Sequence, residues 1–440
     1  MLSGMKLQNV KGSFDYLPEE QIIRNKIIKV LSNNFELYGY LPVETTTLCY
    51  YDLLASKYAG GAEILKEMYT LSDQGNRQLG LRYDLTVPFS KIISMNLNKK
   101  VSLPFRRYEI GKVYRDGPVK VGRVREFYQC DVDVCGIEGA TVEAELMSLA
   151  VKCYKDLGID IYIEWNNRKF LSGLIIEAGI EREVITKVIL SVDKLAKIGE
   201  DGVREELKSY DIDSSKLDCL FNYFKVDFDT LASNVYDSCN DTLRKGISEV
   251  RELSKYLDDL GVRECVFTPY LARGLEIYTG TIWEVFDKEG RVTSSIGAGG
   301  RYDNIITNFI NDGNKYPAVG MTFGLVPIYE IITKSNKISN SDLYDLYIIP
   351  MDDSICSLGL ANSLREYNIR VIVEMNKRKV KKAMSWANKN NIPYVIVLGE
   401  DEIKEGKINI KNMSDGSSHE VLLNDILKMV EIIKDKGETK

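Results

Sequence analysis

A chain of 440 residues is too long for one ordinary hydrophobic core and predicts two or three domains. Its 44% hydrophobic and 28% charged residues are the proportions of a soluble globular protein and exclude a disordered one. The net charge of −6 argues against indiscriminate nucleic-acid binding but leaves RNA open, because local basic patches decide binding. Eight cysteines occur without a paired CxxC set, so free thiols in a reducing cytoplasm are expected. Cys130 and Cys135 read as core residues rather than zinc ligands. No apolar signal core and no run of about 18 apolar residues is found, so neither export nor membrane spanning is expected.

Leu17-Pro18-Glu19-Glu20 reads as a helix start, with proline in the first turn and acids at the positive end of the helix dipole. Ile23, Ile27, Leu31, Phe35 and Tyr38 recur at helical spacing, and Gly39 ends the run. Residues 40–45 are extended. Residues 68–71 and 78–83 flank the polar turn Asp73-Gln-Gly-Asn-Arg77 and predict a hairpin. Its second strand runs into Leu81-Arg-Tyr-Asp-Leu-Thr-Val-Pro88, where Asp84 and Thr86 either cap the next helix or meet a ligand.

Two antiparallel strands are predicted at 105–114 and 126–134. The loop between them carries Arg115, Lys120, Arg123 and Arg125, and Gln129-Cys-Asp-Val-Asp133 returns amide and carboxylate groups to the same sheet. A cationic loop over an acidic strand suits a ligand with a phosphate at one end and an amine or imidazole at the other.

Residues 140–157 form an amphipathic helix, and 159–164 a strand. Between about 170 and 262 the chain turns helical and charged, as an inserted helical subdomain does. Strand character returns at 264–269 and 281–286. Arg273 among apolar strand residues is costly unless it faces an anion. The glycine-rich Ser295-Ile-Gly-Ala-Gly-Gly-Arg-Tyr-Asp303 lets a backbone approach a ligand, or forms a tight turn. After a polar linker at 334–341, strands at 346–350, 370–374 and 394–398 alternate with helices, giving a small α/β domain with a largely parallel sheet. Lys377, Arg378, Lys379, Lys381 and Lys382 cluster at one helix start, as a solvated face or an RNA contact.

The stretch Arg115–Asp133 closely resembles motif 2 of the class II aminoacyl-tRNA synthetases, in the form found in histidyl-tRNA synthetases. The resemblance covers nearly the whole chain in the family's order. It implies an α+β fold: an antiparallel sheet flanked by helices (1–333) with the helical insertion, then an α/β anticodon-binding domain (342–440). Residues 17–45 resemble motif 1, which implies a homodimer. By the same resemblance Arg115 holds the α-phosphate of ATP, and Arg273 stabilises the charge that grows there. Arg123 or Arg125 of the same loop is expected to supply a further ATP phosphate contact in place of the family's motif 3 arginine, with Mg2+ on the phosphates and no metal site in the protein. Asp84 and Thr86 match the segment that binds the α-amino group of histidine. Arg273 and Tyr278 match the Arg-Gly-Leu-x-Tyr-Tyr signature, with Ile277 in place of the first tyrosine. Neutral imidazole offers one donor and one acceptor; the resemblance gives Asp133 the N–H, with Tyr278 and Gln129 completing the polar wall. The insertion implies a contact with the acceptor arm of tRNA(His), and the basic cluster at 377–382 one with the anticodon arm.

Three departures stand out. Thr46 replaces the proline of motif 1, and Arg115-Asp-Gly117 lacks the glutamate of the usual Arg-x-Glu. Ala318–Leu325 matches motif 3, but the arginine that follows, a γ-phosphate ligand, has given way to Val326 and Pro327. The expected activity is a cytoplasmic histidine–tRNA ligase. Its rivals are a regulatory paralogue, such as the histidine-sensing subunit of ATP phosphoribosyltransferase, and a non-catalytic RNA-binding protein.

Overall fold

Pro18 opens the first helix, α1 (Pro18–Leu37), and Glu20 accepts the Leu17 backbone N–H at 3.1 Å. The helix buries Ile23, Ile27, Leu31 and Phe35, and Gly39 turns the chain at φ 77°. The structure, a computed structural model, describes residues 6–56, 65–119, 123–273, 277–335, 343–351 and 354–434. Lys120, residues 274–276 and most of the expected linker fall outside these. Two compact units emerge, Met1–Ser335 and Asn336–Lys440.

In the first unit α1 leads to β1 (Leu41–Pro42), β2 (Leu48–Tyr50), α2 (Tyr51–Ser56), β3 (Thr70–Ser72) and β4 (Gln78–Leu81). Strands β2, β4 and β3 make a small antiparallel sheet, the hairpin expected around Asp73–Arg77. Helix α3 (Thr86–Asn96) precedes two ten-residue strands, β5 (Phe105–Tyr114) and β6 (Glu126–Cys135), paired antiparallel along their whole length. Helix α4 (Thr141–Asp156) and β7 (Ile161–Asn167) follow.

The expected insertion is helical: α5 (Arg168–Glu177), α6 (Ile185–Val192), α7 (Leu195–Lys208), α8 (Ser214–Lys225), α9 (Phe228–Val235) and α10 (Asp241–Asp259). The chain then returns through β8 (Cys265–Phe267), β9 (Thr281–Asp287), β10 (Gly297–Arg301), α11 (Asn304–Ile310), β11 (Ala318–Gly324) and α12 (Leu325–Lys334). The main sheet has eight strands in the order β1-β5-β6-β11-β10-β9-β7-β8. Its centre is antiparallel, as expected; only the edge pairs β1–β5 and β7–β8 run parallel.

The second unit holds β12 (Leu346–Pro350), α13 (Ser354–Arg365), β13 (Val371–Val373), α14 (Val380–Lys389) and β14 (Tyr394–Leu398). It continues with α15 (Glu400–Glu405), β15 (Lys407–Asn412), β16 (Ser418–Leu422) and α16 (Ile426–Lys434). Strands β13, β12 and β14 are parallel, as read from the sequence. The β15–β16 hairpin, missed in that reading, extends the sheet antiparallel. Helix α16 packs Met429 and Ile433 into its core.

Candidate active site

Strand register, rather than closeness in sequence, assembles the site. One row across the main sheet reads Arg107, Asp133, Gly320, Gly300 and Ile282, and the next reads Glu109, Asp131, Thr322, Ala298 and Glu284. The glycines keep the first row open. A Cβ on Gly320 would lie 1.9 Å from Oδ1 of Asp133, and one on Gly300 would lie 2.5 Å from the Tyr278 ring. The glycine-rich segment is therefore a buried strand against the site, and the tight turn held as its alternative is not formed.

Beneath the site runs a buried ion network. Arg107, fully buried, places Nη2 2.7 Å from Oδ2 of Asp133 and Nη1 3.4 Å from Oε2 of Glu109. Arg82 donates from Nη1 to Oε1 of Glu109 at 2.8 Å and to the Thr45 carbonyl at 2.8 Å. The Tyr302 hydroxyl donates to Oδ1 of Asp133. Burying this much charge is tolerable only because the members satisfy one another. Asp133 is thereby fixed in direction.

Above the network lies a cavity of about 170 Å³ lined by Asp84, Thr86, Gln129, Asp131, Asp133 and Tyr278, with Arg115 and Arg273 also on its wall. Every residue expected to bind the amino acid is present, and Asp131 joins them. Asp84 also caps α3, its Oδ1 accepting the Val87 N–H at 3.0 Å, so both roles read from the sequence coincide in one side chain. Oε1 of Gln129 and Oδ1 of Asp131 are buried without close hydrogen-bond partners, and the Thr322 hydroxyl opposite Asp131 acts on that carboxyl as a weak donor. Unpaired buried acceptors at a cavity wall mark a place where a ligand supplies the donors. Burial, and then the charge of Asp133, push the Asp131 carboxyl up to about 8 against the pull of Arg107.

A second cavity of about 290 Å³ adjoins the first and shares Arg115, Gln129, Arg273, Ala298 and Thr322 with it. Its wall includes Arg123, Phe127, Glu284, Ile296, Leu325, Val326 and Pro327. The Arg115 guanidinium lies over the rings of Tyr83 and Phe127, at 4.4 and 5.0 Å, and Nε donates to the Tyr83 carbonyl at 3.4 Å. Arg273 donates from Nη1 to Oε1 of Glu284 at 2.6 Å. Arg123 donates from Nη2 to Oε1 of Glu67 at 2.5 Å, and Oε2 of Glu67 accepts from the Tyr83 hydroxyl at 3.1 Å.

Arg125 is placed differently from the other loop arginines. It lines neither cavity, because its Nε donates to the Gly117 carbonyl at 3.2 Å and its Nη2 lies 3.1 Å from Oδ1 of Asp116. The loop's own carboxylate has claimed it. Pro327 is the third residue of α12, where a backbone N–H has no helical acceptor, so proline costs the helix nothing while removing the charge.

Within the second unit, the basic cluster sits at the start of α14, as expected. Arg378 is engaged: Nη1 donates to Oε2 of Glu374 at 2.7 Å, and the guanidinium lies 5.2 Å from the Trp386 ring centre. Lys377, at φ 52°, and Lys379, Lys381 and Lys382 are exposed.

Sequence reasoning missed Asp131, Tyr302, Phe127 and Glu67. For Asp131 the signal was present, since period-two alternation puts it on one face with Gln129 and Asp133. Glu67 meets Arg123 from 56 residues away, which no local pattern reveals. Among the described residues no group of three His, Cys, Asp or Glu side chains could hold a metal ion, and no helix is long and apolar enough to cross a membrane.

The profile of the family described as Histidyl-tRNA synthetase matches residues 12–328, and that described as Anticodon binding domain matches residues 345–432. The curated Histidine--tRNA ligase 1 of Bacillus cereus is 47% identical over 425 residues, spanning 96% of this chain and 97% of that relative. Histidine--tRNA ligase 2 of Shouchella clausii is 44% identical, spanning 94% of this chain and 98% of its own. A histidyl-tRNA synthetase crystal structure from Nostoc sp. PCC 7120 superposes with a TM-score of 0.84 at 26% identity, covering 98% of this chain and 99% of that one.

Proposed function

The chain belongs to the histidyl-tRNA synthetase family and is a histidine–tRNA ligase that uses ATP, and on that premise we propose how its two adjoining cavities divide the work. The smaller, acidic cavity takes histidine; the larger, with arginines and an apolar wall, takes ATP. The observation that carries this reading is that Arg115 and Arg273 line both cavities. The group that passes between them is the α-phosphate.

The histidine carboxylate attacks that phosphorus, forming histidyl-adenylate and releasing pyrophosphate; the terminal ribose hydroxyl of tRNA(His) then attacks the histidyl carbonyl, taking the histidyl group and releasing AMP. Arg115 holds the α-phosphate, and Arg273 meets the negative charge that grows in the transition state. Asp84 and Thr86 face the amino end of histidine. Asp133 receives the imidazole N–H; Arg107 and Tyr302 each engage one of its oxygens, and a carboxylate oxygen has room for a second donor. Tyr278 and Gln129 complete the polar wall. Phe127, Ile296 and Leu325 give the adenine ring its apolar surface. Mg2+ would bind chiefly to phosphate oxygens and water and would neutralise charge on the triphosphate.

Exposed Leu7, Val10, Phe14, Leu17, Leu37, Leu41, Leu48 and Tyr50, on and around α1, β1 and β2, support a homodimer through this face. Lys377, Lys379, Lys381 and Lys382 meet the anticodon arm. The cytoplasm is the place of action. The test is ATP–pyrophosphate exchange: the full chain catalyses it with histidine and with no other amino acid. Absence of exchange would turn the protein into a histidine-sensing regulator.

A further inference from the structure

We propose that Asp131 is a substrate-binding residue, the seat of the amino acid's α-ammonium group. The proposal rests on the reading of the smaller cavity as the histidine site and names the partner of one end of the ligand. Strand β6 presents Gln129, Asp131 and Asp133 on one face, and their occupations differ. Asp133 is anchored by Arg107 and Tyr302, and Asp84 is occupied in capping α3. Asp131 is 95% buried, since its relative exposure is 5%, and its Oδ1 has no hydrogen-bond partner. Directly across the β6–β11 register stands Oγ1 of Thr322, a hydroxyl that lends the Asp131 carboxyl a weak hydrogen bond, and Oε1 of Gln129 adds a bare oxygen on the same wall.

Charge decides which end of histidine belongs there. Among the described residues, the buried cations paired within the cluster of Asp84, Glu109, Asp131 and Asp133 are Arg82 and Arg107. Arg82 is committed to Glu109, and Arg107 to Asp133 and Glu109. Tyr278 and Tyr302, which complete the surroundings, are neutral phenols; Arg115 and Arg273 stand at the boundary with the nucleotide cavity. A neutral imidazole brings one N–H and no charge, whereas an ammonium brings a full positive charge and three donors. Two bare oxygens and a hydroxyl on an acidic floor match the ammonium. The raised titration of Asp131 agrees: the empty site holds a proton on this carboxyl near pH 7, and an arriving ammonium displaces it.

The experiment is titration calorimetry on the full chain with histidine, with histidinol, which keeps the amine, and with imidazole-lactate, which carries a hydroxyl in its place. Asp131→Asn should weaken histidine and histidinol by about 10- to 100-fold, the range for a hydrogen bond to a charged group, and imidazole-lactate by less than about threefold. A merely structural aspartate would weaken all three alike, and either that result or unchanged binding of all three overturns the proposal. The unmutated protein gives an arm independent of folding. Repeated in buffers of different ionisation enthalpy at pH 7, histidinol should release more protons on binding than imidazole-lactate, and equal release also overturns the proposal. Failure of the unmutated protein to bind histidine at all would instead remove the histidine-site reading, and the proposal with it.

Discussion

Loss of charge at Pro327 places a demand on the rest of the nucleotide cavity, and Arg123 is the side chain that can meet it. On the proposed assignment Arg115 and Arg273 serve the α-phosphate, while Arg125 is tied to Asp116 and Gly117 outside the cavity. A charge-assisted hydrogen bond from Arg123 to a terminal phosphate is worth about 1.5–3 kcal/mol. Forming it breaks the pair with Glu67, in which the arginine side chain is 49% exposed, so that the pair contributes at most about 1 kcal/mol. The net loss in Arg123→Ala is therefore about 1–2 kcal/mol, which raises the KM for ATP about 5- to 30-fold with the KM for histidine unchanged. Arg125→Ala should leave ATP dependence within about twofold, as for a substitution remote from the ligand. Glu67→Gln, which removes the competing carboxylate, should lower the KM for ATP or leave it alone. Initial rates of histidine-dependent pyrophosphate exchange against ATP concentration measure all three. Unchanged ATP dependence in Arg123→Ala, or an equal defect in Arg125→Ala, refutes the assignment.

Arg273→Ala should slow adenylation by about 100- to 1000-fold in single-turnover assays, with a smaller effect on ATP binding, because its charge is needed as the phosphate becomes more negative. Gly320→Ala forces Asp133 off the Tyr302 hydroxyl, since the new Cβ would lie 1.9 Å from Oδ1, the oxygen Tyr302 engages, and should cost about 1–3 kcal/mol in urea unfolding. Asp131 sets a pH trend: its folded-state value near 8 lies above the unfolded carboxylate range, so the unfolded chain releases its proton first. Stability without ligand should fall as pH rises from about 4 to about 8, and Asp131→Asn should flatten that slope in thermal melts. Neutralising Lys377, Lys379 and Lys381 together should weaken tRNA binding and reduce its log–log salt slope by about 2, with pyrophosphate exchange intact.

Much of this was legible in the sequence because the signals were local. The four-residue rhythm from Ile23 to Phe35 set α1, and alternation set β5 and β6. The β15–β16 hairpin escaped because Lys407, Asn409 and Lys411 face solvent on one side and leave only Ile408 and Ile410 buried in β15, too few to stand out from a polar stretch. The floor of the site escaped for another reason. Arg107 and Asp133 are neighbours only through register, and Arg82 reaches Glu109 from a different sheet. Composition shows that these residues exist; only the pairing shows that they neutralise each other and leave Asp131 over.

The arginines of the nucleotide cavity are stored in two different ways, and the difference orders the events of binding. Arg115 rests on the faces of Tyr83 and Phe127, a contact that leaves its N–H groups available to an incoming phosphate. Arg273 and Arg123 rest on carboxylates, Glu284 and Glu67, that a phosphate must displace. On the proposed assignment the α-phosphate meets a prepared contact at Arg115 and a competed one at Arg273, so part of the Arg273 interaction is withheld until the phosphorus carries more negative charge. An interaction strengthened in the transition state accelerates chemistry, whereas one made equally well with the substrate only tightens binding. On this reasoning Glu284 restrains Arg273 in the ground state. Together with the acidic floor, whose unmatched carboxyl awaits an ammonium, this arrangement holds the two substrates at opposite electrostatic poles with their reacting ends at the boundary between them.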